Sequence, residues 1–434
     1  MKHLVITRLR KSNESLALKL TLPSEDDEDD LMMKEFQTND SVVRDLSSIF
    51  RQNTLGDFAV IMRELNEIEE FRSKRCEWVS KRKQLDNRLE RFVQRMEEVW
   101  FGRWRGILNG RRLNEMDCSR LQSYVEKIQQ MAIKILGRRI QNEQLLEVLT
   151  DSFCHLQANQ VMKALADLTG FKENCEQLFK FSKALAKFLD DHERDDNASS
   201  LRRGPIVLVL DKAIQHLPFE SMPILREQEV SRMPSLQFIN AHLSMQRTMI
   251  SGVDTKKTFY LLNPQDNLPN AEKWFSRWFL SEKGWKGVVG RAPSSEEFKE
   301  GLAKNQFFIY VGHGNGREFL NGDEITRLYC EAVALIMGCS SGKLIVKGQC
   351  DARGMALNYL MSGSPAVVGN LWDVTDVDIN KFTENVLRLW FKKSHKLSLT
   401  QCIVQSRNVC DMKYVNGGAP VVYGMPVFTR NVNE

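Results

Sequence analysis

At 434 residues the chain is long enough for about two or three domains, and 42% hydrophobic with 27% charged residues is the composition of a globular protein with a sizeable core. The net charge of +5 is mild, and no Lys/Arg block stands apart from acidic neighbours, so charge does not suggest nucleic-acid binding. Nine scattered cysteines with no C-x-x-C pair argue against a disulfide framework or a zinc site and for a reducing compartment, and no apolar run approaches the ~18 residues of a membrane helix. The opening MKHLVITRLR is too short an apolar run for a signal peptide, so the expectation is a cytosolic or nuclear protein without membrane or direct nucleic-acid partners.

In chain order, residues 3–9 and 15–22 read as two short strands separated by 11–14, and a chain that begins inside a strand is expected to be the tail of something longer. The run SEDDEDD at 24–30 reads as a solvated linker, with a docking site for a basic partner as the alternative; residues 1–40 form this first segment. From about 41 the period becomes helical. Trp78, Leu85, Leu89, Phe92, Met96 and Val99 keep three-and-four spacing on one long helix. Leu121, Tyr124, Val125, Ile128, Met131 and Ile135 repeat it and stop at Gly137, a fitting helix end. Two more amphipathic helices are expected at about 141–168 and 172–189, broken at Gly170, and 190–203 as an exposed flexible linker. Nothing in this helical domain, 41–203, carries chemistry; its stripes predict packing between helices.

From 204 to 434 strands alternate with helices, the signature of a mostly parallel sheet flanked by helices, so the fold class is α/β preceded by an α-helical domain. Strands are expected at 206–210, 258–262, 307–311, 332–337, 365–371 and 421–423. Helices are expected at 295–303, where Ser294 and Glu297 form a capping box, and at about 351–362, 376–391 and 398–410.

The chemistry concentrates in FFIYVGHGNGREFLNGDEITRLYCEAVALIMGCSSG, residues 307–342. Two apolar runs each stop at a glycine and then present a reactive side chain: His313 after Gly312, and Cys339 after Gly338. Singly, a His in a Gly-rich turn is often a loop residue and a Cys after an apolar strand is often core. Paired at the carboxyl ends of neighbouring parallel strands, they would hold imidazole and thiol side by side, the arrangement a cysteine nucleophile needs. Gly314 and Gly316 would let backbone approach a substrate, with an N–H to bind a developing oxyanion. Asp373 ends another strand at the same edge and suits a guanidinium, which predicts action after arginine. Asp376 is a second candidate for that role, whereas Asp378 reads as helix capping and dipole compensation.

The stretches VLVLDKAIQHLPFESMP (207–223), FYLLNP (259–264), GWKGVVG (284–290), YVGHGNGREFL (310–320), MGCSSG (337–342) and GNLWDVTDVDINKF (369–382) strongly resemble separase, the caspase-like cysteine protease that opens cohesin rings at anaphase. The resemblance covers the protease half in order, and a weaker one extends upstream, as in CEWVSKRKQLDNRLE (76–90). It implies a caspase-like fold, Cys339 as nucleophile and His313 as general base and acid. The N–H groups of Gly314 and Cys339 would form the oxyanion site, and Asp373 would receive the arginine of E-x-x-R-type sites. It implies the cohesin kleisin subunit as substrate, a securin-like pseudosubstrate inhibitor, sister-chromatid separation in mitosis as the setting, and no metal or organic cofactor. The helical region resembles the segment that packs beside the protease and helps form its substrate groove.

Family members usually carry a long helical-repeat region before the protease, which this sequence lacks. The expectation is therefore a fragment, or a short form with that region supplied by a separate helical-repeat subunit. The tetrad from Asp191 to Arg194 roughly fits the recognition pattern, so self-cleavage after Arg194 is a further expectation. The competing readings are a caspase-like protease of another pathway, a catalytically silent scaffold binding arginine-containing segments, and a structural helical partner with an inert α/β domain. The 207–223 and 284–290 motifs weigh against the first, and the presence of both His313 and Cys339 against the second. The third ignores the chemistry gathered at the sheet edge.

Overall fold

The computed structural model describes residues 3–8, 16–21, 46–68, 73–193, 201–245, 252–348, 350–392 and 397–430. The acidic run 24–30 and Arg194 lie outside the described residues. Two compact units emerge: one of residues 1–57, 92–204 and 222–228, the other of residues 58–91, 205–221 and 229–434.

In the first unit, β1 (His3–Arg8) and β2 (Leu16–Thr21) pair antiparallel, in the two places expected. The helix Glu115–Leu136 buries Leu121, Val125 and Ile128 and ends at Gly137, whose φ of +73° only glycine adopts without cost. The single helix expected over 141–168 is in fact two, Glu143–Asp151 and Ala158–Thr169, with a short 3-10 turn between them. Ser152 closes the first by turning its hydroxyl back onto the Val148 carbonyl, and Gln157 opens the second through a capping box with Gln160. At both ends the stretch 190–203 departs from a free linker, while 194–200 lie outside the described residues. Glu176–Glu193 is helical to its end, the backbone of Arg202 and Gly204 bonds to Leu113 and Arg111, and Arg203 pairs with the Asp151 carboxylate at 2.7 Å. Asp151 also holds Arg112 at 2.7 Å, so one nearly buried carboxylate ties two distant stretches of chain.

The second unit is an eight-stranded sheet with spatial order β3-β4-β10-β9-β8-β7-β5-β6. Its strands are β3 (Ile206–Leu208), β4 (Val230–Arg232), β5 (Thr258–Leu262), β6 (Lys286–Val289), β7 (Phe307–Val311), β8 (Val333–Ile336), β9 (Ala366–Asn370) and β10 (Pro420–Gly424). Six of the seven neighbouring pairs are parallel; only β9–β10 is antiparallel. The short strands β4 and β6 were absent from the expected elements.

Every residue of β7, β8 and β9 is buried, which is why they read as unbroken apolar runs. Successive side chains of β7 serve opposite faces. Phe307 packs edge-on against Trp390 of the helix Asp376–Trp390, with centroids 5.1 Å apart. Phe308 meets Phe298 of the helix Ser295–Ala303, also at 5.1 Å. Each buried Phe contributes about 1.5–3 kcal/mol of transfer free energy.

The order of β5 to β9 is that of a doubly wound sheet: the chain goes outward from β5 to β6, then returns past β5 to β7, β8 and β9. The winding direction reverses between β5 and β7, and such sheets open their ligand crevice outside the carboxyl ends at that reversal.

Candidate active site

The pairs Phe307–Val333 to Tyr310–Ile336 keep a constant offset of 26 residues, and the Met337 N–H bonds to the Tyr310 carbonyl at 2.9 Å just beyond them. His313 and Cys339 are separated by the same 26 positions, so each leaves its strand at the same level of the sheet edge. Both line one pocket, together with Leu268 and Ala271 from the segment after β5 and with Val374, Asp376 and Asn380 after β9. The pocket thus sits where the sheet topology calls for one.

The segment Gly338–Gly342 shows why this turn has its composition. A Cβ on Gly338 would stand 1.9 Å from the Gly314 carbonyl oxygen and 2.6 Å from that of Gly312, so only glycine lets the two loops meet. Cys339 is partly exposed, and its Sγ lies 3.6 Å from the Val374 carbonyl. Ser340 follows at φ +52°, a strained conformation for a residue with a side chain, and its hydroxyl donates to Asp373 Oδ1 at 2.6 Å. Ser341 donates to the Ile336 carbonyl and accepts the Asn370 N–H, and Gly342 packs on Gly369 with too little room for a Cβ. Asn370 donates in turn to the Gly338 carbonyl at 3.0 Å. A chain of backbone and side-chain bonds thus fixes the thiol loop to the end of β9.

The His313 loop is fixed from β5. Gln265 brackets the His313 residue: its Oε1 accepts the His313 N–H at 3.4 Å and its Nε2 donates to the His313 carbonyl at 3.4 Å. Tyr310 donates its phenol to the same carbonyl at 2.5 Å, and burial pushes that phenol well above its ordinary pKa. Asn263, at φ +52°, accepts the N–H groups of Asn267 and Leu268 and donates to Glu272 at 2.7 Å, setting the turn that presents Gln265. Gly314 and Gly316 take φ of +60° and +76°, and these two glycines line a second hollow together with His313, Arg317 and Glu318.

Of the residues singled out from sequence, His313, Cys339 and Asp376 line one pocket, and Gly314 borders His313. Asp373 is exposed, lies outside the pocket lining and reaches the site through Ser340, the neighbour of Cys339. Asp378 is buried, and more than a helix-start charge: its carboxylate accepts from the N–H groups of Asp411 and Met412 and from Asn416 Nδ2 at 2.7 Å. Sequence reasoning missed Gln265, Tyr310, Asn370 and Asn380; the partners of Gln265 and Asn370 lie far along the chain, and Asn380 joins the pocket only through the fold. Asn263-Pro264 at a strand end was the one local signal available. Among the described residues no group of three or more His, Cys, Asp and Glu is placed to hold a metal ion, and no helix is long and apolar enough to cross a membrane.

Against known proteins, residues 1–379 match the family model described as separin, protease domain. The chain is 35% identical to the separin of Mus musculus over 381 residues, 86% of this chain and 17% of that protein. It is 31% identical to the separin of Emericella nidulans over 457 residues, 97% of this chain and 22% of that protein. The chain therefore spans about a fifth of the length of these curated relatives. Its fold superposes on the crystal structure of the Saccharomyces cerevisiae separase–securin complex at 2.6 Å with a TM-score of 0.76 and 22% identity, covering 99% of this chain and 29% of that one. On the strength of the family match and the two relatives, the chain belongs to the separin family and carries its protease domain.

Proposed function

We propose that this chain is the proteolytic part of a separase-type cysteine endopeptidase that cleaves after arginine in E-x-x-R-type sites. The observation that carries the reading is the register match of His313 and Cys339 beyond two adjacent buried parallel strands, with both lining one pocket at the sheet's switch point. His313 takes the thiol proton, and the Cys339 thiolate attacks the scissile carbonyl carbon, forming a C–S bond and an oxyanion. The N–H groups of Gly314 and Cys339 receive that oxyanion. Collapse of the tetrahedral intermediate breaks the C–N bond, and the His313 imidazolium gives its proton to the leaving amine. Water then attacks the thioester with His313 as base, releasing a carboxylate and restoring the thiol. Asp376, on the pocket wall, and Asp373, one residue removed from it through Ser340, supply the negative charge that selects arginine.

The biological substrate in this reading is the kleisin subunit of cohesin, cut in mitosis to release sister chromatids, and the enzyme works in cytoplasm and nucleus. A securin-like inhibitor occupies the same cleft, a partner suggested by the separase–securin complexes whose fold the chain shares. A helical-repeat region, in the same polypeptide or a separate one, completes the enzyme.

The test is cleavage of an E-x-x-R peptide by wild type, Cys339→Ser, Asp373→Ala and Asp376→Ala, alone and with the helical-repeat region added. The expected result is loss of cleavage in Cys339→Ser and a fall in preference for arginine over lysine in the carboxylate variants. Cleavage surviving in Cys339→Ser would overturn the mechanism. A wild type that binds the peptide and never cuts it would make the chain a binding scaffold.

A further inference from the structure

Around the loop that carries Asp373 and Asp376 runs a second layer of bonds whose centre is Asn416, on the approach to β10. Asn416 is buried, and its amide is used at both ends. Nδ2 donates to Thr375 Oγ1 at 3.0 Å and to Asp378 Oδ2 at 2.7 Å, while Oδ1 accepts the Thr375 N–H at 3.4 Å and Arg82 Nη2 at 3.3 Å. Thr375 is the N-cap of the helix Asp376–Trp390, so Asn416 grips the residue from which that helix starts. The segment bearing Asn416 is anchored on its other side. Asp86 Oδ1 accepts the N–H groups of Tyr414 and Val415 at 2.8 and 2.7 Å, and Tyr414 donates to Glu90 at 3.0 Å. The Val415 carbonyl then accepts the Trp372 indole N–H at 2.6 Å, and Leu371 N–H bonds to the Ala419 carbonyl.

We propose that Asn416 is a positioning residue for the arginine-selecting loop. By holding Thr375 and Asp378 it fixes where the Asp373 and Asp376 carboxylates and the Val374 carbonyl stand against Cys339. Ser340 holds the loop through Asp373 Oδ1 and the Trp372 carbonyl, and the 415–416 segment supplies the further bonds to Trp372 and Thr375. Val374 carries the carbonyl that faces the Cys339 thiol, and it lies between Trp372 and Thr375, both of which bond to the 415–416 segment. The amide is also hard to replace. A carboxylate at 416 cannot donate and would set a second negative charge beside Asp378, and an apolar group would leave the buried Asp378 carboxylate short of its closest donor. A shift of this loop moves carboxylates that bind the substrate rather than the reacting atoms, so its cost falls mainly on KM. Asp86 and Arg82, from the stretch 75–91, act one step further back by holding Asn416 and its neighbours in place.

This inference rests on the proteolytic reading above, and its test separates the two. Matched E-x-x-R and E-x-x-K peptides are cleaved by wild type, by Asn416→Asp and by the milder Thr375→Val, which removes a single hydroxyl partner, each first compared with wild type by thermal melting. The expected result is a KM for the arginine peptide raised about tenfold in Asn416→Asp, with kcat changed less than about threefold, and a reduced arginine-over-lysine ratio in both variants. Unchanged KM and unchanged selectivity in both would overturn the inference while leaving the protease in place. Should Asn416→Asp fail to fold, Thr375→Val decides alone. If wild type cuts neither peptide even with the helical-repeat region added, the proteolytic reading falls, and the rate of Cys339 alkylation by iodoacetamide, located by mass spectrometry, is read instead. A change of about threefold or more in the variants supports the placement of Val374 by Asn416, and an unchanged rate overturns it.

Discussion

Gly338 and Gly314 approach so closely that a Cβ on the first would lie 1.9 Å from the carbonyl oxygen of the second. The contact joins the two loops that carry Cys339 and His313, so Gly338→Ala must push one of them away. Overpacking of this kind costs about 1–3 kcal/mol, and displacement of the proposed dyad by about 1 Å would cost on the order of 100-fold in rate. We expect Gly338→Ala to fold with a lowered melting temperature and to lose at least about 100-fold in kcat/KM. Gly348→Asn is the comparison, since Gly348 at φ +59° has nothing within 4 Å of a Cβ and asparagine tolerates that conformation. Near-normal cleavage by Gly338→Ala would show that the loops do not need this contact.

A second prediction concerns the buried pair Glu220 and Arg232. Two parallel bonds join them, Nε to Oε1 at 2.6 Å and Nη2 to Oε2 at 2.5 Å, and both side chains are 4% exposed or less. Burial alone would raise the Glu220 carboxyl, but the Arg232 guanidinium overrides it and holds the group below its ordinary value of 4.5. The folded state therefore binds this proton less readily than the unfolded chain. The contribution of the pair is present above the ordinary value and is lost as pH falls through the depressed one. Glu220→Gln leaves a buried cation short of its counter-charge and should cost about 3–5 kcal/mol near neutrality. Melting temperature measured against pH is the readout, with a lower plateau and a shallower acid decline expected in the variant. Equal plateaus would mean that Arg232 finds its compensation elsewhere.

What could be read from sequence, and what could not, follows from the range of the interactions. Phe307–Val311 and the run around Val333–Ile336 were legible because strands buried on both faces are written as unbroken apolar residues. Ser294 and Glu297 announced their helix because a capping box is local. The edge strand β6 was not legible: Lys286 and Gly287 are exposed, so it shows neither alternation nor an apolar run. The break at Ser152 escaped because amphipathic spacing continues on both sides of it. The site divides the same way. His313 and Cys339 stood out as reactive residues after strand-ending glycines, whereas Gln265 and Asn416 act through partners tens to hundreds of residues away. Nothing near Asn416 in sequence marks it, and only the adjacent Asn263-Pro264 at a strand end hints at Gln265. Asp373 and Asp376 were both visible as carboxylates after β9, but only the fold separates the one on the pocket wall from the one held by Ser340.

The last prediction sets seven of the nine cysteines against one another. Burial pushes the Cys330 thiol up to about 11 and those of Cys402 and Cys410 up to about 12, so near neutrality they hold almost no thiolate and present little surface. Cys76, Cys154 and Cys350 are exposed and should react as ordinary surface thiols. Cys339 is partly exposed, lines the pocket with His313 and, in the proposed mechanism, gives its proton to that imidazole. Limited iodoacetamide treatment near neutral pH, followed by peptide mass spectrometry, should therefore label Cys339 first, the three surface cysteines next and the three buried ones only after unfolding. In His313→Ala the advantage of Cys339 should disappear, with the surface cysteines unchanged as internal standards. A Cys339 that labels no faster than Cys350, and is indifferent to His313→Ala, is not a nucleophile prepared by this site.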